Sequence, residues 1–330
     1  MPAANPSPRP SYRISLDGQD ITPRINGRLL QLTLIDNRGM EADQLDITLS
    51  DYDGKLAIPR KGVELRLAIG WEDGLVERGT YIVDEVEHSG APDVIILRAR
   101  SADLRGSLRV KRSQSWHCIS IGDLVRTIAN RQNLTPLLSE QLARISLEHI
   151  DQTDESDIAF LTRLAERYDA VATVKAGNLL FLAAGEGTTA SGQSIPTVAI
   201  TRAAGDSHRY SVIDREQYTG VVARWHDLAN ARLREVIAGS AGNLKSLRQT
   251  YPTEAAARAA AQAEWNRIGR GAAAFSLTLA RGRPDLYPET PLRVRGFKRD
   301  IDERSWLITR VTHTLTEGGY TTAIECETTS

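Results

Sequence analysis

Five carboxylates, Glu148, Asp151, Asp154, Glu155 and Asp157, crowd into one short stretch of this sequence. A pair of such groups held about 5 to 9.5 Å apart would serve as the general acid and base of glycan cleavage. The same residues run into an apolar pattern of helical spacing, where carboxylates favour the positive end of the helix dipole, so capping explains most of them without chemistry. His117-Cys118 offers a thiol nucleophile, but no oriented base or third partner accompanies it. The pair precedes an amphipathic helix, and packing in the core is the expectation for it. Asp51-Tyr52-Asp53-Gly54 starts like a calcium loop, yet its glycine arrives too early and no glutamate completes it, which leaves a turn. His226-Asp227 and the isolated His88, His208 and His313 lack metal-ligand spacing. Gly185-Glu186-Gly187 and Gly269-Arg270-Gly271 lack the strand, loop and helix of a phosphate cradle. The sequence assigns no catalytic, cofactor-binding or metal-binding residue, and it predicts no enzyme and no cofactor.

The elements that would position any such group are mostly strands. From Tyr12 to about Asp103, Leu30, Leu32 and Leu34 alternate with Gln31 and Thr33, and Leu45, Ile47 and Leu49 alternate with Asp46 and Thr48. Turn residues separate these runs at Asp36-Asn37-Arg38-Gly39 and Asp51-Tyr52-Asp53-Gly54. Short strands with one apolar face predict a small antiparallel barrel or sandwich. A basic connector follows, with Arg98, Arg100, Arg105, Arg109, Lys111 and Arg112 against the single Asp103. No aromatics are interleaved, so a solvated strand end and linker is expected rather than a nucleic-acid surface.

The period then changes from two to 3.6. Ser120 and Asp123 resemble a capping box, and Ile121, Leu124, Val125 and Ile128 make one apolar helical stripe. A second helix starts near Thr153 to Ser156 with Ile158, Leu161, Leu164, Ala165 and Tyr168 as its buried face. A hairpin from Val171 to Leu182 turns at Gly177-Asn178, and the loop from Gly185 to Ser194 reads as a linker. Strands resume at Ile195 and include Gly220 to Trp225. An alanine-rich helix from Thr253 to Arg270, anchored by Trp265, is expected to pack on the barrel that contains it.

The last stretch, Gly282 to Glu327, reads as three strands, with Leu292 and Val294 alternating with arginines and Ile324 and Cys326 with glutamates. The same unit occurs earlier. Val63 to Trp71 forms one long alternating strand, and Tyr81 to His88 then matches Trp306 to His313: aromatic, two aliphatics, two polar residues, valine, polar, histidine. A third strand at Ile95, Leu97 and Ala99 stands where Ile324 and Cys326 stand in the later copy. Three elements agreeing in order favour an internal duplication.

Gly282, Pro284, Leu286, Leu292, Val294, Gly296-Phe297, Trp306, Val311, His313, Gly319-Tyr320 and Glu325 resemble the end of the phage late control protein D family. Asp154 to Asp157, Phe160-Leu161, Leu164 to Tyr168 and Lys175 to Phe181 add a second matching stretch. These families are baseplate hubs of contractile phage tails and tailocins, similar to the hub of T-even phages and to the hub part of the valine-glycine-rich spikes of type VI secretion. One departure is Asp169, where the family's glycine after the helix is replaced, so a different helix cap is expected. The resemblance implies a homotrimer whose chains each bring two similar barrels, adapting a six-fold tail tube to a three-fold central spike. Its implied partners are the spike, the tube, other baseplate proteins and the tape measure protein, and its place is the tail baseplate of a virion or tailocin. The alternatives are a tail-associated peptidoglycan hydrolase and a glycan-binding module using Trp71, Trp225 or Trp306, although apolar strand faces assign those rings to the core.

Composition sets the outer bounds. At 330 residues the chain has length for two or three domains, and a formal net charge of -1 argues against nucleic acid or an anionic membrane as the main partner. Cys118 and Cys326 are too few for a disulfide scaffold, and no apolar run spans a bilayer, so maturation in the bacterial cytoplasm is expected. The predicted fold class is mainly β with an α+β insert, in which two similar small antiparallel β-barrels are joined by a helix-containing insert domain. The expected divisions are a flexible proline-rich arm at 1–10, a first barrel at 11–105, the insert and linker at 106–194, and a second barrel at 195–330 with its helix at 253–270.

Overall fold

The computed structural model describes residues 8–102, 106–175, 177–185, 187, 193–212 and 218–329. Most of the expected arm, residues Asp103 and Arg105 of the basic connector, and most of the expected linker lie outside the described residues.

The first strands follow the period-two pattern. They are β1 (Pro10–Leu16), β2 (Gln19–Asp20), β3 (Leu29–Asn37), β4 (Gln44–Ser50), β5 (Glu64–Trp71), β6 (Gly74–Ser89) and β7 (Val94–Ser101), with the short helix α1 (Thr22–Ile25) between β2 and β3. In β4, Leu45, Ile47 and Leu49 are buried while the residues between them are half-covered. A core of Ile14, Leu32, Leu34, Ile47, Leu67 and Leu97 collects on that one face.

The insert contains β8 (Lys111–Ser120), α2 (Ile121–Arg131), β9 (Thr135–Leu138), α3 (Glu140–Ala143), β10 (Ser146–Ser156), α4 (Asp157–Arg167), β11 (Ala170–Lys175) and β12 (Asn178–Ala183). Ser120 and Ser156 cap α2 and α4 by accepting from the backbone N–H of Asp123 and Ala159. The stripe of Ile121, Leu124, Val125 and Ile128 is fully buried, facing Phe160, Leu161 and Leu164 of the second helix within one core. Three strands of the insert, β8, β9 and β10, went unread in the sequence. β8 and β10 form their own antiparallel pair, and their buried residues, Trp116, Leu147, Ile150 and Gln152, are too few and too unevenly spaced to show as alternation.

The remainder comprises β13 (Val198–Thr201), β14 (Gly205–Val212), β15 (Gly220–Asp227), β16 (Arg232–Gly239), β17 (Leu244–Tyr251), α5 (Glu254–Arg270), β18 (Ala273–Leu279), β19 (Pro291–Arg295), α6 (Arg299–Asp302), β20 (Trp306–Thr316) and β21 (Gly319–Thr328). Strands resume at Val198 rather than Ile195. The alanine-rich helix does not lie on barrel strands, as its sequence position suggested. It covers a separate three-stranded sheet of β16, β15 and β17, where Ala257, Ala260 and Ala261 meet Val221, Ala223, Val236 and Ala238. Small side chains on both surfaces let helix and sheet approach closely, and half-buried Trp265 packs at the margin as its anchor. A strand that buries one face under a helix carries the same alternation as a barrel strand, so the sequence could not separate the two.

β9, β12 and β11 form a separate three-stranded sheet in the insert, and the remaining strands belong to one ladder in the order β14-β18-β21-β20-β3-β4-β7-β6-β5-β1-β2, with β13 and β19 attached through β20. The chain is mainly β with an α+β insert. The two expected barrels are the two halves of this ladder, each wrapped on its own core, and among the described residues neither half closes by hydrogen bonds.

Candidate functional site: the joint between two repeated half-sheets

The two halves are copies of one another. In the first, the strand order is β1-β5-β6-β7-β4-β3; in the second it is β13-β19-β20-β21-β18-β14. Their irregularities coincide as well. The β6·β7 ladder skips Asp84, between Val83 and Glu85, and the β20·β21 ladder skips Thr309, between Ile308 and Arg310. The β3·β4 ladder skips Leu30 and the β14·β18 ladder skips Asp206. A bulge adds one residue and re-aims its strand, so two shared bulges fix the correspondence residue by residue. Tyr81 answers to Trp306, Val86 to Val311 and His88 to His313, which is the alignment the sequence pattern implied. One outer strand breaks the likeness: β1 runs antiparallel to β5, whereas β13 runs parallel to β19.

The halves meet where β3 pairs with β20, from Arg310 opposite Asn37 to Thr316 opposite Gln31. A buried polar cluster lies beneath this joint. Arg78 of β6 makes an ion pair with Asp36 of β3 and donates to the Pro284 carbonyl of the second half at 2.8 Å. The Tyr287 ring covers its guanidinium at 4.0 Å, and Trp71 donates its indole N–H to the Gly282 carbonyl at 3.0 Å. Burial raises the Asp36 pKa, and the Arg78 charge opposes that rise. His313 is fully buried, with Nδ1 at 2.9 Å from the Tyr320 hydroxyl and 3.0 Å from Thr322 Oγ1. Burial first, and then the neighbouring Arg78 charge, depress its pKa to about 3, so the imidazole is neutral and its 3.8 Å approach to Asp36 is not an ion pair.

A second polar cluster ties the insert and the helix layer to the ladder. Asp169 ends α4 in a left-handed conformation, φ 51°, where glycine is the usual residue. Its carboxylate accepts from Asn266 at 3.1 Å and from Arg270 at 2.8 Å, which accounts for the departure at this position. Arg270 also approaches Glu327 at 3.4 Å, and Arg38 bridges Glu327 and Glu289 at 2.5 Å each. Lys175 of β11 pairs with Asp43, beside a cleft of about 830 Å³ bounded by β11, β12, Arg78 and Tyr287.

The residues singled out for chemistry do not converge. Glu148, Asp151, Asp154 and Glu155 lie on β10 rather than in a helix N-terminus, because the strand continues to Ser156. Asp154 pairs with Lys111, and Glu155 with Arg163. Asp157 alone enters the helix and is fully buried, held by Gln132 at 2.7 Å, Gln152 at 3.0 Å and Arg131 at 3.4 Å. Three of the connector's arginines are paired: Arg98 with Glu85 and Glu87, Arg100 with Asp84, and Arg112 with Asp157. His117 and Cys118 are exposed on β8, not in the core, because it is the neighbouring Trp116, paired with Ile150, that turns into the core of the insert. His149, which the sequence reading passed over, stands opposite His117 with Nδ1 atoms 3.1 Å apart and its Nε2 2.9 Å from Asp151. The only signal for it was the unread strand. Asp51 to Gly54 is a turn, with Gly54 N–H donating to the Asp51 carbonyl and Asp53 clasped by both Nη atoms of Arg28 at 2.8 Å. Among the described residues no group of three or more His, Cys, Asp or Glu could hold a metal ion. Trp306 is buried, and Trp71 and Trp225 are half-buried.

Comparison with known proteins places this geometry among others. The sequence profile of the phage tail baseplate hub (GPD) family matches residues 41–319. The probable baseplate hub protein of Escherichia phage 186 is 46% identical over 98% of this chain and 94% of its own length. The probable baseplate hub protein of Escherichia phage P2 is 47% identical over 96% and 93%. In fold, the 43 kDa tail protein of prophage MuSo2 from Shewanella oneidensis superposes with a TM-score of 0.70 at 14% identity, covering 96% of this chain and 98% of that one.

Proposed function

This chain belongs to the phage tail baseplate hub family, and from that premise we propose that it works as a homotrimeric ring in a contractile tail, joining a six-fold tube to a three-fold central spike. The chain is a structural component of the tail baseplate. The observation that carries the trimeric reading is the repeat: each chain brings two half-sheets alike in strand order and bulges, so three chains present six similar seats on one side. The tube, the spike and neighbouring baseplate proteins are its partners, with the tape measure protein as a further one. The role is geometric, and no catalysis is assigned to it. The carboxylates considered for a hydrolase site are dispersed, Glu148, Asp151, Asp154 and Glu155 along β10 and Asp157 at the start of α4, and Asp154, Glu155 and Asp157 are neutralised by Lys111, Arg163 and Arg131. The working units are the two half-sheets, within 11–105 and 195–330, an insert at 106–194, and the separate helix-covered sheet of β15, β16 and β17 carried inside the second.

Light scattering on the purified protein tests the reading. Three times the 36.3 kDa chain mass, alone or after addition of the spike protein, is the expected result. A chain that stays monomeric under both conditions defeats it.

A further inference from the structure

The geometric role of the chain leaves one pair of imidazoles on the outside of the insert without a task. His117 of β8 and His149 of β10 stand directly opposite one another, 32 residues apart in sequence, with Nδ1 atoms 3.1 Å apart. Two nitrogens bound to one ion at about 2.0 to 2.1 Å are separated by about 2.9 Å at a right angle and about 3.3 Å at the tetrahedral angle. The observed separation falls between the two. The ring centroids are 4.5 Å apart and the planes are tilted by 31°, so the nitrogens approach more closely than the rings do. Both side chains are exposed, which leaves each ring free to turn until the two lone pairs meet on one point, and leaves that point open to solvent.

A second observation points the same way. Asp151, two residues further along β10, lies 2.9 Å from Nε2 of His149. A carboxylate at Nε2 keeps the proton there and presents the Nδ1 lone pair of His149 to His117. This is how the outer partner of a ligating histidine works: it fixes the tautomer and the ring orientation and makes the other nitrogen more basic. Ser115 stands opposite Asp151 and stabilises its carboxylate. The frame beneath is rigid. Trp116 and Ile150, the next pair in the ladder, are buried in the core of the insert, and Arg163 donates to the Asp151 carbonyl at 2.7 Å.

We propose that His117 and His149 bind one divalent transition ion of the zinc and copper class through their Nδ1 atoms, with Asp151 as the positioning residue. Neutral imidazole suits these ions, whereas magnesium and calcium seek oxygen ligands. Among the described residues no third His, Cys, Asp or Glu joins the pair, so water completes the coordination shell and the ion is exchangeable. With both rings neutral and no ion bound, Nδ1 of His117 carries the proton that bridges them. Binding moves that proton through solvent to Nε2 of His117, and the pair as a whole loses none. The ion then staples β8 to β10 from the outside, opposite the face that Trp116 and Ile150 bury.

Calorimetric titration of the tag-free full chain with zinc chloride, in a buffer that does not chelate, tests the site. One ion per chain is expected. His117→Ala and His149→Ala are each expected to weaken zinc binding at least ten-fold, and Asp151→Ala about ten-fold, all with the circular dichroism and melting temperature of the metal-free protein unchanged. His226→Ala, on the separate helix-covered sheet, is expected to leave zinc affinity as it was. Electron paramagnetic resonance with copper(II) supplies the second readout, in a Cys118→Ser background because an exposed thiol reduces that ion. Hyperfine splitting from two imidazole nitrogens is expected, and from one in either histidine variant. Zinc binding that survives both histidine substitutions puts the ion elsewhere and overturns the site. A protein that takes up no zinc at millimolar metal holds only a hydrogen-bonded pair, and that result overturns it as well. Full affinity in Asp151→Ala removes the positioning role.

Discussion

Arg78 and Asp36 form an ion pair from which water is almost wholly excluded, their side chains being 0% and 5% exposed, directly under the strand joint that unites the two halves of the sheet. Removing one partner strands the other as an uncompensated charge, which typically costs about 3 to 5 kcal/mol. Arg78→Leu is therefore expected to lower the unfolding free energy by about that amount. The double variant Arg78→Leu with Asp36→Leu should recover much of the loss, and equilibrium denaturation of the three proteins checks both statements.

His313 makes stability depend on acid. Its pKa falls from the ordinary 6.5 to about 3 on folding, so below pH 6.5 the unfolded chain takes up a proton that the folded chain refuses. The stabilisation is complete above the unfolded value and is lost as pH falls from 6.5 toward 3, by up to about 4 kcal/mol in this window. His313→Gln should be less stable than the wild type at neutral pH and flatter in its pH profile. Equal slopes for the two proteins between pH 6 and 4 would refute the assignment.

Asp169 and Arg270 set strain against charge. Glycine at 169 would relieve about 1 kcal/mol of left-handed backbone cost, but it would take the best partner from a buried guanidinium. Glu327 remains only at 3.4 Å, so the second effect wins. Asp169→Gly is expected to destabilise by about 1 to 3 kcal/mol in thermal or chemical melts, and a stabilised variant would show the cap outweighing the pair.

The acidic stretch separates into structural and dispensable members. Asp157→Ala leaves Arg131, Gln132 and Gln152 without their shared acceptor and should cost about 3 kcal/mol or more. Asp154→Ala removes one exposed pair with Lys111 and should change stability by less than about 1 kcal/mol. Neither Glu148→Gln nor Asp154→Asn is expected to matter in a peptidoglycan zymogram, because the unaltered protein should give no band.

Legibility followed how steeply each pattern was tied to burial. Alternation in Leu45, Ile47 and Leu49, the stripe of Ile121 to Ile128 and the Tyr81-to-His88 likeness to Trp306-to-His313 each report a face that must be covered, and each appears as read. β8 and β10 escaped because they bury little, and with them went the true setting of His117, His149 and the carboxylates. The matching β3 and β14 were invisible as copies: Leu32 and Leu34 answer to His208 and Tyr210, so chemistry diverged where only the backbone ladder was kept. The helix layer on β15 failed for a different reason, since alternation records that a strand has a covered face but not what covers it.

The reversed outer strand limits how far the doubling goes. Beside β5 the polypeptide arrives from one rim of the molecule, and beside β19 its counterpart arrives from the other, so identical weaving in the middle is bordered by unlike loops at the margins. In the ring proposed above, six positions would be alike along the interior strands and three along the borders, so the proposal asks for no additional adaptor where the symmetry changes.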